Sequence, residues 1–285
     1  MARSQRKHTN EARHDGTVGQ NAIWPLALIT GASSGIGKEF ARQIAASGIN
    51  VVLVARREAL LQEAGAEFTK KYGVEHHVVV EDLSREGFMD RLAAATNSLD
   101  IGLVVSNAGT ANPGEFLKLD RSELVRLMKL NSLSHLDITH HFGQRLVKRG
   151  RGGIVLCGAM GAMQGIPYMA NESGAKSYVQ SFGEALHAEL HPFGVHVSVL
   201  VIGPTQTAII EKIGFDPATM PMKPMSVEQC VLEGLEALKQ NRATHLSGRI
   251  NRIMNALIPA SLSRSIMGKL IAKALASRPQ TAAAA

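Results

Sequence analysis

The amino-acid sequence predicts an α/β fold with a doubly wound parallel sheet, in a single domain with a C-terminal helical extension. Three observations support this prediction. Short apolar segments alternate with helical patterns along most of the 285 residues. Each apolar segment is continuous rather than alternating with polar residues, which is typical of strands covered on both faces of a sheet. The connections between strands and helices are short, which favours right-handed crossovers.

Six strands and six helices are predicted in order. The strands are expected at Leu26–Ile29, Val51–Ala55, His77–Val80, Ile101–Ser106, Ile154–Cys157 and Val195–Val201. The helices are expected at Lys38–Ser47, Glu58–Lys71, Arg85–Thr96, Ser122–Lys148, Glu172–Leu190 and from Ser226 to about Gln240. Strands that alternate with helices in this way are typical of a Rossmann-like domain.

We expect this domain to occupy residues 22–248. Residues 1–21 show no apolar periodicity and are predicted to be a disordered basic tail. Residues 249–285 repeat apolar residues at helical spacing, carry six basic residues and no acidic one, and are predicted to form an amphipathic extension. Two interpretations of the extension stay open: a helix pair packed over the substrate mouth or against another subunit, which we favour, or peripheral contact with an anionic membrane.

The distribution of charge argues against a nucleic-acid-binding protein. The net charge is +7, but the body between residues 21 and 248 carries 21 basic and 22 acidic side chains, so the excess lies at the two ends. With one Trp and three Tyr there is little aromatic surface for stacking on bases. We therefore expect a small-molecule substrate and no nucleic acid.

Cysteine content and hydropathy favour a cytoplasmic protein. Cys157 and Cys230 cannot form a disulfide framework, and neither a secretory leader nor an apolar run of about 18 residues is evident. Neighbouring histidines have no third ligand at metal spacing, so no metal site is expected. We also expect a homo-oligomer, either a dimer or a tetramer.

A glycine-rich turn directly follows the first strand and directly opens the first helix. It reads Thr30-Gly31-Ala32-Ser33-Ser34-Gly35-Ile36-Gly37. Glycines allow the backbone to approach a pyrophosphate, and the first amides of the helix point at its negative charge. The turn therefore predicts a dinucleotide site. Its expected cofactor contacts are Gly31, Ser33, Ser34, Gly35, Ile36 and Gly37.

The end of the second strand indicates which dinucleotide is bound. An NAD site normally places a carboxylate there to hold the ribose 2′-hydroxyl, but this strand ends in Ala55 followed by Arg56 and Arg57. Either arginine, helped by Lys38, can pair with a 2′-phosphate. The predicted cofactor is therefore NADP(H).

Together with the turn, two further motifs resemble the short-chain dehydrogenase/reductase family from about Leu26 to Met225. They are Glu81-Asp82-Leu83 and Ser106-Asn107-Ala108-Gly109, in which Ser106 stands where the family usually has Asn. The resemblance implies that Asp82 and Leu83 contact adenine and that Asn107, Ala108 and Gly109 steady the sheet beside the cofactor. Residues 203–207 resemble the segment that closes over the nicotinamide, which implies cofactor contacts by Gly203, Thr205 and Thr207.

The same resemblance implies a catalytic set that is altered in this chain. Family members use Asn, Ser, Tyr and Lys, with Tyr four residues before Lys. Asn131 and Lys176 match the Asn and the Lys, and Lys176 also contacts the cofactor in the family pattern. Glu172 stands at the Tyr position and Ala159 at the Ser position. Tyr168 is expected to border the substrate pocket, as part of its wall or within reach of the substrate.

Glu172 and Lys176 are four residues apart on a predicted helix, so we expect them to pair. The nearby cation favours the carboxylate form of Glu172, whereas burial favours the acid form, and both stay open. Three functions are therefore considered. The first is an oxidoreductase that acts on a mainly apolar carbonyl or alcohol, with Glu172 or water replacing the tyrosine. The second is a non-redox isomerase, lyase or cyclase with Glu172 as base, and the third is a catalytically silent NADP(H)-binding protein.

Overall fold

A computed structural model describes residues 24–207, residue 210 and residues 223–276. Its centre is one seven-stranded parallel sheet with the order β3-β2-β1-β4-β5-β6-β7. Runs of Val, Leu and Ile form the inner strands, and every residue of β1 is buried. The strands are β1 Leu26–Thr30, β2 Asn50–Ala55, β3 His76–Val80, β4 Leu103–Ser106, β5 Gly152–Ala159, β6 Val195–Ile202 and β7 Thr244–Leu246.

Helices cover both faces of the sheet, as the continuous apolar strands require. Two clusters of buried side chains lie between the sheet and its helices, one on each face, with Phe40 and Phe68 in the first and Phe142 in the second. The α-helices are α1 Gly35–Ala46, α2 Glu58–Tyr72, α3 Phe88–Thr96, α4 Arg121–Met128, α5 Ser134–Arg149, α6 Ala170–Leu190, α7 Val227–Lys239, α8 Arg249–Leu257 and α9 Ala260–Ala276.

The predicted fold class is confirmed, with corrections to individual elements. A seventh strand, β7, pairs with β6 through Val199 and Thr244 and extends the edge of the sheet. The helix predicted over 122–148 begins at Arg121 and contains a wider π turn at Lys129–Leu133 between α4 and α5. Helix α1 begins at Gly35 rather than Lys38, because the glycine-rich turn itself provides its first turn.

The C-terminal extension forms two helices that pack back onto the domain. A Cβ atom added to Gly203 would collide with the side-chain amide of Asn251 in α8, so these two elements are in close contact. In α9, Gly268 lies against Pro167, and Ile271 is fully buried. No helix among the described residues is long and apolar enough to cross a membrane. The predicted tail at 1–21 lies outside the described residues.

Candidate active site

The glycine-rich turn adopts the backbone conformation that its sequence predicts. Gly31 and Gly35 have φ values of +68° and +54°, in the left-handed region that favours glycine. A Cβ atom at Gly37 would collide with the carbonyl oxygen of Gly31. The side chain of Ser34, the N-cap of α1, makes no capping hydrogen bond. The turn therefore brings the N-terminus of α1 against glycine backbone, and the amides of a helix N-terminus favour a pyrophosphate.

Thr30 joins this turn to the segment that follows β4. Its hydroxyl accepts hydrogen bonds from the backbone amides of Asn107 at 2.9 Å and Ala108 at 3.0 Å. The Asn107 side chain donates to the Thr30 carbonyl at 3.0 Å. A Cβ atom at Gly31 would approach Asn107 Nδ2 to 2.7 Å. Two segments that are 77 positions apart in the chain are thus held together as one surface.

Arg57 lies across the serines of the turn. Its guanidinium donates to Ser33 Oγ at 2.9 Å and to Ser34 Oγ at 2.6 Å. Arg56 is also exposed, and its Nη1 lies 3.9 Å from Asp82 Oδ2. The ammonium of Lys38, which was expected to assist them, lies 3.9 Å from Glu67 Oε2. The two arginines therefore lie beside the glycine-rich turn, while Lys38 pairs with Glu67 of the neighbouring helix α2.

Asp82 and Leu83 occupy the turn that follows β3. The Ser84 hydroxyl donates to Asp82 Oδ1 at 2.6 Å. Burial raises the pKa of Asp82, but hydrogen bonds from the Ser84 hydroxyl and amide and the charges of Arg56 and Arg85 outweigh it and lower the pKa. Asp82 therefore carries a negative charge in a groove of about 490 Å³ that Arg56 also lines. Leu83 is 4% exposed and forms part of the core beneath that groove.

Asn131 and Lys176 converge on Gly109. A Cβ atom at Gly109 would lie 3.4 Å from Asn131 Oδ1 and 3.5 Å from Lys176 Nζ. Asn131, in the π turn, is fully buried and exchanges hydrogen bonds with the backbone of Thr110: its Oδ1 accepts at 2.9 Å and its Nδ2 donates at 2.8 Å. These contacts fix the orientation of the amide beside the lysine.

The Lys176 ammonium donates to the carbonyl oxygen of Cys157 at 2.7 Å. Burial lowers the pKa of Lys176, whereas attraction to Cys157 and to Glu172 opposes this shift. The expected contact between Glu172 and Lys176 thus takes the form of an electrostatic attraction, while the hydrogen bond of the ammonium goes to the end of β5. Burial also raises the pKa of the Cys157 thiol to about 12, so this cysteine is a protonated residue of the core.

Glu172 lies in the first turn of α6, one turn before Lys176, and its Oε2 atom is buried. Ala159 is the last residue of β5. Tyr168 has a φ of 65°, an uncommon conformation for a residue with a side chain. Its ring packs against a small cluster that contains Ala111 and Ile271. Tyr168 therefore forms part of a wall beneath α9, which favours the first of its two predicted roles.

The segment after β6 lies above the glycine-rich turn. Gly203 donates its backbone amide to Ser247 Oγ at 3.1 Å, and the hydroxyl of buried Thr205 donates to the Gly203 carbonyl at 2.9 Å. The Thr207 methyl group would lie 3.6 Å from a Cβ atom at Gly35. Gly203, Thr205 and Thr207 thus reach the same end of the sheet as the turn. Residues 208, 209 and 211–222, which continue this segment, lie outside the described residues.

One buried pair was not predicted. The hydroxyl of Ser106 lies 2.8 Å from Nδ1 of His135, and both residues are buried. Burial and the charge of Lys176 hold the pKa of His135 well below its usual value, although a backbone hydrogen bond to Ala108 opposes this shift. The imidazole is therefore neutral. Among the described residues, no group of three or more His, Cys, Asp or Glu side chains is arranged to hold a metal ion.

The chain is similar to proteins of one family over most of its length. The short chain dehydrogenase family matches residues 25–217. A very-long-chain 3-oxoacyl-CoA reductase from Meyerozyma guilliermondii is 39% identical over 206 residues, which cover 68% of this chain and 60% of the relative. A protein of the same name from Neurospora crassa is 37% identical over 188 residues, covering 64% and 56%. The chain thus spans roughly 60% of the length of these relatives.

Two solved structures share the fold across nearly their whole length. One, from work on 7β-hydroxysteroid dehydrogenase stereoselectivity, has a TM-score of 0.80 and 28% identity, and covers 87% of this chain and 98% of the other. A short-chain dehydrogenase from Sphingobium yanoikuyae in complex with NADPH has a TM-score of 0.74 and 27% identity, and covers 91% and 98%.

Proposed function

Because the chain belongs to the short chain dehydrogenase family, we propose that it is an oxidoreductase that transfers hydride between NADP(H) and a mainly apolar carbonyl or alcohol. The observation that carries this proposal is the convergence of Asn131 and Lys176 on Gly109. Gly109 directly follows Asn107 and Ala108, which Thr30 ties to the glycine-rich turn. Asn131 and Lys176 therefore lie on the same surface as the glycine-rich turn proposed to bind the dinucleotide.

The two arginines support NADP(H) rather than NAD(H). Arg57 donates charge-assisted hydrogen bonds to Ser33 and Ser34. The same guanidinium would donate to a ribose 2′-phosphate bound beside these serines. Arg56 adds a second cation, and no carboxylate ends β2 to hold a 2′-hydroxyl. The NADPH bound to the Sphingobium protein is consistent with this choice.

The substrate that we propose has a long apolar chain next to its carbonyl. The relatives from Meyerozyma and Neurospora are named very-long-chain 3-oxoacyl-CoA reductases. In this chain, the segment that leads from Ala159 to α6 presents Met160, Met163 and Ile166, and Met163 is 40% exposed. Unbranched methionine side chains adapt their shape to long apolar ligands. A 3-oxoacyl thioester is therefore the first substrate to test.

In the proposed reaction, Glu172 handles the proton. NADPH, held by the glycine-rich turn and Arg57, would supply hydride for the carbonyl carbon. The acid form of Glu172 would give its proton to the carbonyl oxygen, so that a C–H and an O–H bond would form as the C=O π bond broke. Glu172 is then reprotonated from solvent. In the reverse direction, its carboxylate accepts the alcohol proton. Lys176 and Asn131 hold the polar end of the site, and the lysine charge stabilises the carboxylate that Glu172 becomes once its proton has been transferred.

The proposal is tested by following the absorbance of reduced nicotinamide with NADPH or NADH and a panel of long- and short-chain 3-oxoacyl-CoA thioesters. We expect oxidation of NADPH that depends on a long chain and is lost in Lys176→Ala. A matched control is Lys148→Ala, on the exposed side of α5. Turnover that is unchanged in Lys176→Ala would contradict the assigned site, and absence of turnover with bound NADPH would favour a silent binding protein.

A second candidate is non-redox chemistry with Glu172 as the base. It is favoured by the position of Glu172 one helical turn before buried Lys176, whose charge attracts the carboxylate. A carboxylate in that position can remove a proton from a carbon beside a carbonyl, leaving an enolate that Lys176 stabilises. Solvent deuterium would then enter the substrate without consumption of NADPH, and Glu172→Gln would abolish the exchange.

A further inference from the structure

The C-terminal helices have one face that packs on the domain and one face that does not. Gly268, Ile271 and Ala274 of α9 are buried. Asn251 of α8 is also buried, against the segment that follows β6. These inward residues account for only part of the apolar pattern. Five large apolar side chains remain 45–76% exposed: Ile250, Ile253, Leu257, Leu262 and Ile266. We refer to these five as the outer apolar face.

The outer apolar face lies among cations. Residues 249–285 contain six basic side chains and no acidic one. In α8, Arg252 is occupied, since its Nη1 contacts Glu233 Oε2 at 2.7 Å. Arg249, Arg264 and Lys269 are exposed. The surface therefore combines apolar side chains with positive charge that is not neutralised within its own helices.

We propose that the outer apolar face docks on the surface of an anionic lipid bilayer. Helices of this composition lie in the interface plane, with apolar side chains at the boundary of the acyl chains and cations at the lipid phosphates. A second copy of the chain is a poorer occupant. In a two-fold contact the same patch meets itself, so the cations of both copies would face one another without a carboxylate between them.

Docking would also bring the lipid close to the candidate active site. Helix α9 and the pair Pro167 and Tyr168 line a groove of about 400 Å³, and Arg264 and Lys269 stand on its helical side. Tyr168 precedes Glu172 by four positions. A long-chain substrate could therefore enter from the bilayer. This consequence rests on the proposed function, whereas the docking itself does not.

The test is co-sedimentation of the full chain with vesicles of phosphatidylcholine alone and of phosphatidylcholine mixed with phosphatidylserine. We expect binding to the mixed vesicles that is about tenfold or more tighter than to the neutral ones and that weakens as salt is added. Ile253→Ser with Leu257→Ser is expected to weaken binding about tenfold. The matched control is Leu232→Ser, whose side chain is 53% exposed on α7 and lies outside this face.

Circular dichroism establishes that each variant is folded. If the serine variant does not fold, Arg264→Glu with Lys269→Glu provides the same test, with Lys239→Glu in α7 as its control. Three results would overturn the proposal: no binding to mixed vesicles, equal binding to both vesicle types, or a dimer that the same substitutions dissociate. Because no step measures turnover, failure of the docking is distinguishable from failure of the proposed reaction.

Discussion

The Nζ atom of Lys176 donates a hydrogen bond to the carbonyl oxygen of Cys157 at 2.7 Å, which ties α6 to β5 within the candidate active site. Lys176 is 7% exposed. Because its ammonium is buried, a backbone carbonyl rather than water satisfies one of its three donors. The position of the charge is thereby fixed beside Asn131 and Gly109, where the proposed reaction needs it.

The first prediction concerns the alkaline limit of activity. Burial lowers the pKa of Lys176 from the usual value of 10.5, despite the opposing attraction of Cys157 and Glu172. As pH rises, activity that needs the protonated ammonium should therefore be lost at a lower pH than the one at which a solvated lysine loses its proton. Profiles of kcat/KM against pH measure this limit in the direction of alcohol oxidation, in which Glu172 acts as the carboxylate and its own deprotonation does not end activity. Lys176→Arg should remove it, because arginine stays protonated above pH 12 or so; an unchanged limit in an active, NADPH-binding Lys176→Arg variant would contradict the assignment.

The second prediction concerns the glycine-rich turn. Gly37→Ala would place a methyl group against the Gly31 carbonyl and 2.6 Å from Asn107 Nδ2. We expect a loss of about 1–3 kcal/mol in the free energy of unfolding, together with loss of NADPH binding. Gly143→Ala in α5 is the control, since a Cβ atom there meets nothing within 4 Å. Gly143→Ala should raise the free energy of unfolding by about 0.5–1 kcal/mol. Equal effects of both substitutions in urea unfolding would contradict this account.

The third prediction concerns cofactor choice. Arg57→Ala removes charge-assisted hydrogen bonds to Ser33 and Ser34 and the cation proposed for the 2′-phosphate. A hydrogen bond between this cation and the 2′-phosphate is worth about 1.5–3 kcal/mol. The Kd for NADPH should therefore rise on the order of tenfold to a hundredfold. The Kd for NADH should change much less. Fluorescence titration of both cofactors measures the ratio, and Lys70→Ala on α2 is the control. An equal loss of affinity for both cofactors would mean that Arg57 only supports the turn.

The fourth prediction concerns the anchor of the C-terminal helices. Burial raises the pKa of Glu233, but hydrogen bonds from His245, the Gly248 amide and Arg252 outweigh this and lower it to about 2. A carboxylate whose pKa is lower in the folded state stabilises the fold above its unfolded value of 4.5. This contribution is lost as pH falls from that value to about 2.

Glu233→Gln should therefore lower the free energy of unfolding by about 3 kcal/mol at neutral pH. The difference from the unsubstituted protein should shrink as pH falls below 4.5 and disappear once pH is below about 2, the lower of the two pKa values. Urea unfolding at a series of pH values measures it. Glu236→Gln in the same helix is the control. A difference that stays constant across this acid range would show that the stabilisation does not come from the charge of Glu233.

How much the sequence predicts depends on whether a feature is local. The glycine-rich turn could be predicted because one strand, one turn and one helix specify it. The three-residue strand β7 could not, because Thr244–Leu246 is short, only half-buried and lacks an apolar run. The contact between Lys176 and Cys157 was missed because its acceptor is a backbone carbonyl, which every residue possesses.

The pair Ser106 and His135 shows the same limit. The departure from the usual Asn at Ser106, at the end of β4, was visible in the sequence, but its partner lies 29 positions away in helix α5. A buried His in a helix has no distinctive spacing. The motif therefore indicated that position 106 departs from the family pattern. Only the packing of β4 against α5 identified His135 as the partner of Ser106.

The central claim is that hydride reaches the substrate in a site where Glu172 takes the place of tyrosine. The most direct measurement uses NADPH that carries deuterium at the transferable C4 position, a long-chain 3-oxoacyl-CoA and mass spectrometry of the product. We predict one deuterium on the new carbinol carbon with the natural chain, and a large loss of rate in Glu172→Gln. If deuterium is transferred only by the Ala159→Ser, Glu172→Tyr double variant, the natural chain does not perform hydride transfer and the claim is contradicted.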